Sequence, residues 1–268
     1  MRSPRINRKR LDELYTRYHH RALVHPDPLE FLYDYHDPRD KEVVGLIASS
    51  LAYGRVAQIL KSVSGVLERM NPSPCAFLLD SPSNSIRRTF ARFKHRFTTG
   101  EDLTYMLLDA KGIIERYGSL YACFMACFND HEDTVLPALS AFVKQFNASS
   151  STNGKFSLLP SPNKGSACKR LNLFLRWMVR RDRVDPGGWQ SIPVSKLIVP
   201  LDTHMHRICL RLHLTKRRQA DLRTAVDITH AFRRIVPEDP VRYDFVITRL
   251  GIRNDTDLAS FLEAWPTK

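Results

Sequence analysis

The sequence predicts an all-α protein. Apolar residues recur at three- and four-residue intervals along most of the chain, as expected for helices that each bury one face. Alternation of apolar and polar residues, the pattern of strands, is confined to one short candidate at 198–201. With 43% hydrophobic and 26% charged residues, the 268-residue chain can bury a core, so global disorder is excluded.

The first predicted helix covers 40–53. It follows Asp37 and Pro38 and begins with acidic residues, which suit a helix N-terminus. Its apolar residues continue at helical spacing until Gly54, where the pattern stops.

The second predicted helix covers 56–70, where the apolar residues lie on one side, and Pro72 and Pro74 end it. Amphipathic stretches predict further helices at 103–117, 120–128, 134–146, 167–181, 203–212, 222–236 and 257–264. Two irregular segments divide the second half of the chain. They are a small, polar loop at 148–154 and a connector at 182–195 that contains a Pro-Gly-Gly turn.

The chain is strongly basic. Lysine and arginine outnumber aspartate and glutamate by 41 to 28, which gives a net charge of +13. Such an excess repels itself in a compact fold, and a polyanion is the partner that most often neutralises it. Nucleic acid is therefore the leading partner class, with a ribosome, a phospholipid surface or a compositional bias of lineage as alternatives. The charge indicates a class of partner and not a reaction.

No membrane or secretion signal is visible. The apolar runs fall far short of the roughly 20 residues that span a bilayer, and the first ten residues are polar and basic with no apolar stretch behind them. We therefore expect no membrane partner and a cytoplasmic, nucleoid-associated protein.

The histidines and cysteines do not form a metal-binding pattern. The five cysteines are scattered and odd in number, as expected for reduced thiols. An iron–sulfur cluster needs tighter grouping, and no His-Glu-x-x-His motif is present. His204 and His206 are two residues apart, so on a helix they point to different sides and make a poor metal pair. We expect no metal and no cofactor, and in particular no iron–sulfur cluster.

The basic helix predicted at 167–181 carries a candidate nucleophile. Ser166 can cap this helix, and Gly165 permits close approach of another backbone. Lys169 then lies in the first turn, where the helix dipole is positive, with Arg170 beside it. Positive charge follows on the same helix at Arg176 and Arg180. Such neighbours disfavour an ammonium group, and a neutral lysine amine can act as a nucleophile. Contact of Lys169 and Arg170 with phosphate or solvent is the alternative, and spacing alone favours it.

Asp202 is the candidate acidic residue. It lies just before the helix predicted at 203–212, where an N-cap is expected, and capping contributes about 1 kcal/mol. A carboxylate that faces a cleft can also stabilise positive charge that develops on a sugar. Both interpretations remain open from the sequence.

These residues together resemble a known superfamily, the helix-hairpin-helix DNA glycosylases, which include endonuclease III, the adenine glycosylase acting on mismatches and the 8-oxoguanine glycosylases. Two motifs carry the resemblance. Residues 159–167 (Leu-Pro-Ser-Pro-Asn-Lys-Gly-Ser-Ala) resemble the hairpin before the lysine-bearing helix, and residues 202–207 (Asp-Thr-His-Met-His-Arg) match an Asp-Thr-His-x-x-Arg motif. The stretch that follows 165 is similar to an uncharacterised prokaryotic branch of these enzymes.

The resemblance implies a two-lobed helical fold with a cleft for duplex DNA. The central lobe would cover 39–183 and end in the hairpin and the basic helix. The second lobe would be formed by the two termini, 1–38 plus 195–268.

The resemblance also implies a lysine and an aspartate that meet across the cleft. Asp202 matches the essential aspartate. The Gly-x-Gly of the hairpin is absent, and strict alignment places Gly165 where the lysine belongs. Lys164 and Lys169 are the available replacements, and we expect Lys169.

Further residues are implied to contact DNA, namely Lys164, Gly165, Ser166, Arg170 and His204. Tyr53 and Arg55 follow the first predicted helix and would enter the gap that a flipped base leaves. Alternatively, they are a core tyrosine and a surface arginine.

The implied activity is that of a DNA glycosylase, with or without abasic-site lyase activity, that excises a damaged base such as 8-oxoguanine in base excision repair. The expected partner is double-stranded DNA carrying the damaged base, and the expected state is a monomer. The alternative is a non-catalytic DNA- or RNA-binding module that retains the same fold.

Overall fold

A computed structural model describes residues 8–147 and 158–252, and within them the chain is mainly helical. The α-helices are α1 (Arg8–Tyr18), α2 (Pro38–Ser50), α3 (Val56–Leu67), α4 (Pro74–Asp80), α5 (Ser83–Phe90), α6 (Gly100–Tyr117), α7 (Leu120–Cys127), α8 (Leu136–Asn147), α9 (Lys169–Val179), α10 (Thr203–Arg211), α11 (Leu222–Arg233) and α12 (Asp244–Ile252). Short 3-10 helices lie at Arg21–Leu23, Pro28–Asp34, Glu68–Met70, Pro162–Lys164 and Val194–Lys196. The strands of this part of the chain form one antiparallel hairpin, β1 (Lys94–His95) and β2 (Thr98–Thr99). The all-α prediction is confirmed.

Most predicted helices are present, but α1, α4, α5 and α12 were not predicted. Pro74 begins α4, whereas the sequence analysis used it to end a helix. Proline fits the first turn of a helix, and the Ser73 hydroxyl caps this one by accepting a 3.1 Å hydrogen bond from the Ala76 N–H. The strand candidate at 198–201 is buried irregular chain. The helix predicted at 257–264 and the loop at 148–154 lie outside the described residues.

Helix α2 lies at the centre of the fold. Its residues 42–50 are all buried, and it packs against α9, α7, α4 and the 3-10 helix at Pro28–Asp34. Gly45 lets α9 come close, because a Cβ at this position would lie 3.3 Å from the side chains of both Phe174 and Met178.

The C-terminal part of the described chain packs against its N-terminal part. Helix α12 contacts α10 and α1. The Arg249 guanidinium donates to the carbonyl of Val24 at 2.6 Å and to the carboxylate of Asp27 at 2.8 Å. The Tyr243 hydroxyl donates to the carboxylate of Asp12 at 2.7 Å. The division of the chain into a central lobe and a lobe formed by both termini stays a prediction.

Two buried arginines of α9 stand at the centre of a charge network. Arg176 contacts Asp185 at 3.1 Å and also pairs with Asp244. Arg180 pairs with Asp185 as well, and with two further carboxylates at 2.8 and 2.9 Å, those of Asp182 and Asp239. Both arginine side chains are 4% exposed, so their charges are neutralised inside the protein. Contrary to the sequence-based expectation, they do not act on the start of α9 as free positive charges.

The connector at 182–195 folds back over the end of α9, and its residues Val184, Asp185, Trp189 and Ile192 are buried. The Gly187 N–H donates to the Trp177 carbonyl at 3.0 Å, and the Trp189 N–H donates to the Met178 carbonyl at 2.8 Å. These bonds use carbonyls at the end of α9 that have no partner within the helix. The indole of Trp189 is thereby buried against the core.

Glu42 is a buried carboxyl that joins three segments. It accepts hydrogen bonds from the backbone N–H groups of Leu120 and Tyr121 at 2.7 and 3.3 Å, at the start of α7. It also accepts one from the indole N–H of Trp189 at 3.1 Å. Burial nevertheless raises the pKa of Glu42 to about 7.

We expect Asp185→Ala to lower the free energy of unfolding by about 3–5 kcal/mol, because it leaves two buried guanidinium groups without a shared carboxylate. Urea denaturation measures this loss. The matched control is Glu115→Ala, which removes an exposed carboxylate 3.6 Å from Lys111 and should cost less than about 1 kcal/mol, because Lys111 keeps its hydrogen bonds to two carbonyls. Equal losses in the two variants would show that the buried charge network contributes no more to the free energy of unfolding than a surface ion pair does.

The pKa of Glu42 predicts a specific pH dependence of stability. Because its folded pKa of about 7 lies above the unfolded value of about 4.3, its contribution is complete below the unfolded pKa and is lost as the pH rises through about 7. In Glu42→Gln this contribution is absent, so its unfolding free energy should fall less between pH 5 and pH 8 than that of the wild type. Parallel urea titrations at the two pH values test this, and identical pH slopes would count against it.

Candidate functional site

A cleft of about 680 Å³ opens where several chain segments converge. Its walls come from the loop before the 3-10 helix at Pro28–Asp34, the loop between α2 and α3, the start of α3, the turn before α9, and the starts of α9, α10 and α12. The residues that matter below are Tyr53, Gly54, Gly165, Ser166, Lys169, Arg170, Arg176, Asp202, His204, Asp221 and Asp244.

Lys169 and Asp202 meet in this cleft. The Lys169 Nζ lies 3.5 Å from the Asp202 Oδ2 and 3.4 Å from the carbonyl oxygen of Ala52. The lysine side chain is 33% exposed and the aspartate side chain 14%. The two residues that the sequence analysis selected from separate segments therefore form an accessible ion pair. Their catalytic roles stay predictions.

Asp202 uses its two carboxylate oxygens differently. Oδ1 accepts a 2.8 Å hydrogen bond from the Met205 N–H and so caps α10, while Oδ2 faces Lys169. The two interpretations that the sequence left open are therefore compatible, since one carboxylate serves both as a cap and as part of the cleft wall.

The turn before α9 differs from its predicted form. Helix α9 begins at Lys169, and Ser166 lies two residues too early to cap it. The Ser166 hydroxyl accepts instead from the Cys168 N–H at 3.2 Å. Cys168 has φ of +47°, a left-handed conformation that turns the chain directly before Lys169.

The predicted DNA-contacting residues of this turn are divided between cleft and surface. Gly165 and Ser166 line the cleft, and the Gly165 carbonyl accepts from the Leu222 N–H at 3.0 Å, which fixes the turn to α11. Lys164 is exposed and lies outside the cleft lining. Of the two candidate lysines, only Lys169 is brought to Asp202.

Arg170 and Tyr53 are packed against each other in the cleft wall. The Arg170 guanidinium donates to the Ser50 carbonyl at 2.8 Å and lies 5.3 Å from the centre of the Tyr53 ring. The Tyr53 hydroxyl donates to the His95 carbonyl at 2.9 Å and lies 2.6 Å from the Thr98 hydroxyl. Tyr53 is therefore held in place within the protein.

Arg55 and His204 lie at the edge of the same site. Arg55 is exposed and precedes α3, next to Gly54 of the cleft wall. His204 lines the cleft, and its Nδ1 lies 3.4 Å from the guanidinium of Arg207. Among the residues that the structure describes, no group of three His, Cys, Asp or Glu side chains could hold a metal ion.

The floor of the cleft contains an acid that the sequence analysis missed. Asp244 is 3% exposed, pairs with Arg176, and keeps one carboxylate oxygen without a hydrogen-bond partner in the described chain. Burial raises its pKa to about 6. An acid between Tyr243 and Phe245 in an apolar stretch was the available signal, since such a residue is seldom buried without a charged partner.

The cysteines are free thiols of the interior. Cys75, Cys123, Cys168 and Cys209 are buried and Cys127 is partly exposed. Burial raises the pKa of Cys168, which lines the cleft, to about 11, so it is a neutral thiol and not a nucleophile at neutral pH.

The fold and the site define a basic, helical protein with a lysine–carboxylate cleft. The sequence model of the family described as "Protein of unknown function (DUF2400)" matches residues 27–253, and the chain belongs to this family. Comparison with curated proteins and with solved structures gives no significant match. In the described residues no helix is long and apolar enough to cross a membrane.

The family match corrects the resemblance drawn from the sequence. The assignment to the helix-hairpin-helix DNA glycosylase superfamily is wrong, because the matching family is a different one and no glycosylase family matches. Two short motifs of common residue types carried that resemblance, whereas the family match covers most of the chain. The basis for a proposed function is therefore the geometry of the cleft.

The double use of Asp202 predicts a contrast between two substitutions. Asn caps helices as well as Asp, so Asp202→Asn should change the free energy of unfolding by less than about 0.5 kcal/mol, whereas Asp202→Ala should lower it by about 1 kcal/mol. Thermal or urea denaturation of both variants distinguishes them. A large loss in Asp202→Asn would show that the pair with Lys169 carries most of the stabilisation.

Proposed function

We propose that this protein cleaves the N-glycosidic bond of a damaged nucleotide in DNA, with Lys169 and Asp202 as the reacting groups. The observation that carries the proposal is the 3.5 Å separation of the lysine Nζ from the aspartate Oδ2 inside the cleft. An amine beside a carboxylate is the combination that cleavage at a sugar carbon needs, because one group can bond to the carbon and the other can stabilise its positive charge.

The size and surroundings of the cleft support a nucleotide as the ligand. Its volume of about 680 Å³ falls in the usual range of roughly 300–1,000 Å³ for small-ligand sites. Helices α9 and α10 both begin at the cleft, so their positive ends favour an anionic ligand. The net charge of +13 favours a polyanion that carries this nucleotide.

A basic segment flanks the cleft and supports contact with phosphates. Asp221 and Ala220 line the cleft, and the chain on either side of them is rich in exposed cations. These cations are Arg207, Arg211, Lys216, Arg218 and Arg223. A basic surface next to a cleft can hold the backbone of a nucleic acid while one nucleotide enters.

The resting ion pair suggests the order of the reaction. Lys169 as an ammonium group gives a proton to the departing base as the bond from the sugar to the base breaks, and ionised Asp202 stabilises the positive sugar. The amine that remains then bonds to the anomeric carbon. Opening of the sugar ring gives a Schiff base, from which β-elimination breaks the strand. Where water takes the place of the amine, the base is released without a strand break.

A DNA- or RNA-binding module without catalysis is the second candidate. The net charge of +13 favours such a binding module as much as the enzyme. The closed ion pair of Lys169 and Asp202 is also compatible with a purely structural role.

Borohydride trapping tests the reaction. The protein is mixed with duplexes that contain 8-oxoguanine, uracil, an alkylated purine or an abasic site, and borohydride reduces any Schiff base to a stable crosslink. We expect a crosslink with wild-type protein, its loss in Lys169→Gln, and its persistence in Lys164→Gln, because Lys164 lies outside the cleft. Asp202→Asn should slow base release by about 100-fold or more with little change in DNA affinity.

Each other result has a definite meaning. Base release without a crosslink would assign the nucleophile to water. A crosslink that disappears in Lys164→Gln would move the reaction out of the cleft. Equal, salt-sensitive binding to all duplexes without release or crosslink would overturn the enzyme and favour the binding module.

A further inference from the structure

The β-hairpin carries an exposed aromatic side chain. Phe97 lies in the turn between β1 and β2 and is 71% exposed, and it is the large apolar side chain that stands out from the surface of the described chain. Single exposed apolar residues are common on proteins, so the exposure alone assigns nothing. The position of the hairpin next to the cleft indicates what this side chain contacts.

The hairpin is held by hydrogen bonds against α3 and the loop between α2 and α3. His95 is fully buried, with its Nδ1 2.9 Å from the Ser62 hydroxyl and its Nε2 3.1 Å from the Tyr53 carbonyl. The Tyr53 hydroxyl bonds in turn to the hairpin at the His95 carbonyl and at Thr98. A side chain on such a fixed turn loses little backbone entropy when it binds a partner.

These contacts place the turn at the rim of the cleft. Tyr53 and Gly54 line the cleft. Arg96, the neighbour of Phe97, packs on Gly54 so closely that a Cβ there would lie 2.6 Å from the Arg96 Cδ. Phe97 follows Arg96 and so lies close to the part of the cleft wall that Gly54 forms, although it is not itself a lining residue.

The charges around Phe97 indicate the chemistry of its partner. The exposed side chains of this part of the chain are largely cationic, at Arg55, Arg87, Arg88, Arg92, Lys94 and Arg96. The Arg96 guanidinium lies 5.4 Å from the centre of the Phe97 ring. A partner that offers flat apolar faces within an anionic backbone fits this surface, and nucleic-acid bases have both properties. A lipid surface offers anions as well, but one side chain on a short turn buries little apolar area compared with the amphipathic helices that bind membranes.

We propose that Phe97 inserts into the base stack of duplex DNA beside the cleft and fills the space that an extruded nucleotide leaves, an inference that rests on the proposed function. Apolar side chains that enter a base step unstack and kink the duplex, which lowers the cost of extruding the neighbouring nucleotide. Phe97 takes the role that the sequence analysis gave to Tyr53, which is held by its own hydrogen bonds. Arg55 lies on the same rim and is placed to contact phosphate.

The test is an equilibrium measurement that involves no bond cleavage. The duplex carries a tetrahydrofuran abasic analogue, which cannot form a Schiff base, and 2-aminopurine as the neighbouring base. We expect wild-type protein to change the 2-aminopurine fluorescence, because insertion of Phe97 alters the stacking of that base. In Phe97→Ser this change should be lost and the affinity should fall about tenfold or more.

Two controls separate insertion from a folding defect. Phe97→Tyr keeps an aromatic ring and should retain both the fluorescence change and the affinity. Phe97→Ser should unfold at the same temperature as the wild type, because the side chain is exposed and packs little of the core.

The outcomes also separate this inference from the proposed reaction. If Phe97→Ser binds the duplex and changes the fluorescence as the wild type does, the inference is overturned, even where borohydride trapping succeeds. If trapping fails but the fluorescence change depends on Phe97, the reaction fails and the insertion stands. Absence of any fluorescence change with wild-type protein overturns the insertion. Phe97-dependent binding to vesicles of phosphatidylcholine and phosphatidylserine, without Phe97-dependent binding to DNA, would assign the side chain to a membrane surface instead.

Discussion

The pairing of two α9 arginines with buried aspartates constrains the rest of the structure. Arg176 and Arg180 are almost fully buried, and a buried guanidinium is tolerated only where carboxylates surround it. The carboxylates come from the connector after α9 and from the segment around the start of α12. This requirement fixes the connector and the C-terminal helices on α9. It therefore also fixes the distance between the first residue of α9, which is Lys169, and the floor of the cleft at Asp244.

Helix α2 contributes the other side of the same arrangement. Gly45 lets α9 approach, and Glu42 ties α2 to the start of α7 and to the connector through Trp189. At its far end the carbonyl of Ser50 accepts a hydrogen bond from Arg170, and in the loop that follows, Tyr53 bonds to the β-hairpin. The buried helix and this loop thus position a wall of the cleft and the exposed turn of the hairpin. The candidate site consequently depends on residues that never contact a ligand.

The proposed function rests on the geometry of the cleft, because the family match overturns the resemblance that first suggested this function. Correcting the family leaves the distance between Lys169 and Asp202, their exposure and the surrounding charge unchanged. The correction does remove the roles that the resemblance implied, so the role of each residue rests on its contacts in the structure. On that basis Asp202 is also the cap of α10, Arg170 is part of the cleft wall, and Phe97 is the exposed aromatic side chain of the β-hairpin.

The sequence by itself determined the helical class and the position of α2 and α10, because helical periodicity and capping act between residues that are close in the chain. Lys169 and Asp202 were selected through the resemblance, and only the tertiary structure showed that they lie 3.5 Å apart. The sequence did not show that Arg176 pairs with Asp244, 68 positions away, or that the hairpin packs on α3 and the loop after α2. The composition does not distinguish a buried arginine from an exposed one. From the sequence, Arg176 and Arg180 were therefore interpreted as free positive charges. Only the tertiary structure decided which charges face each other, since that depends on burial and on contacts between distant segments, which have no local pattern.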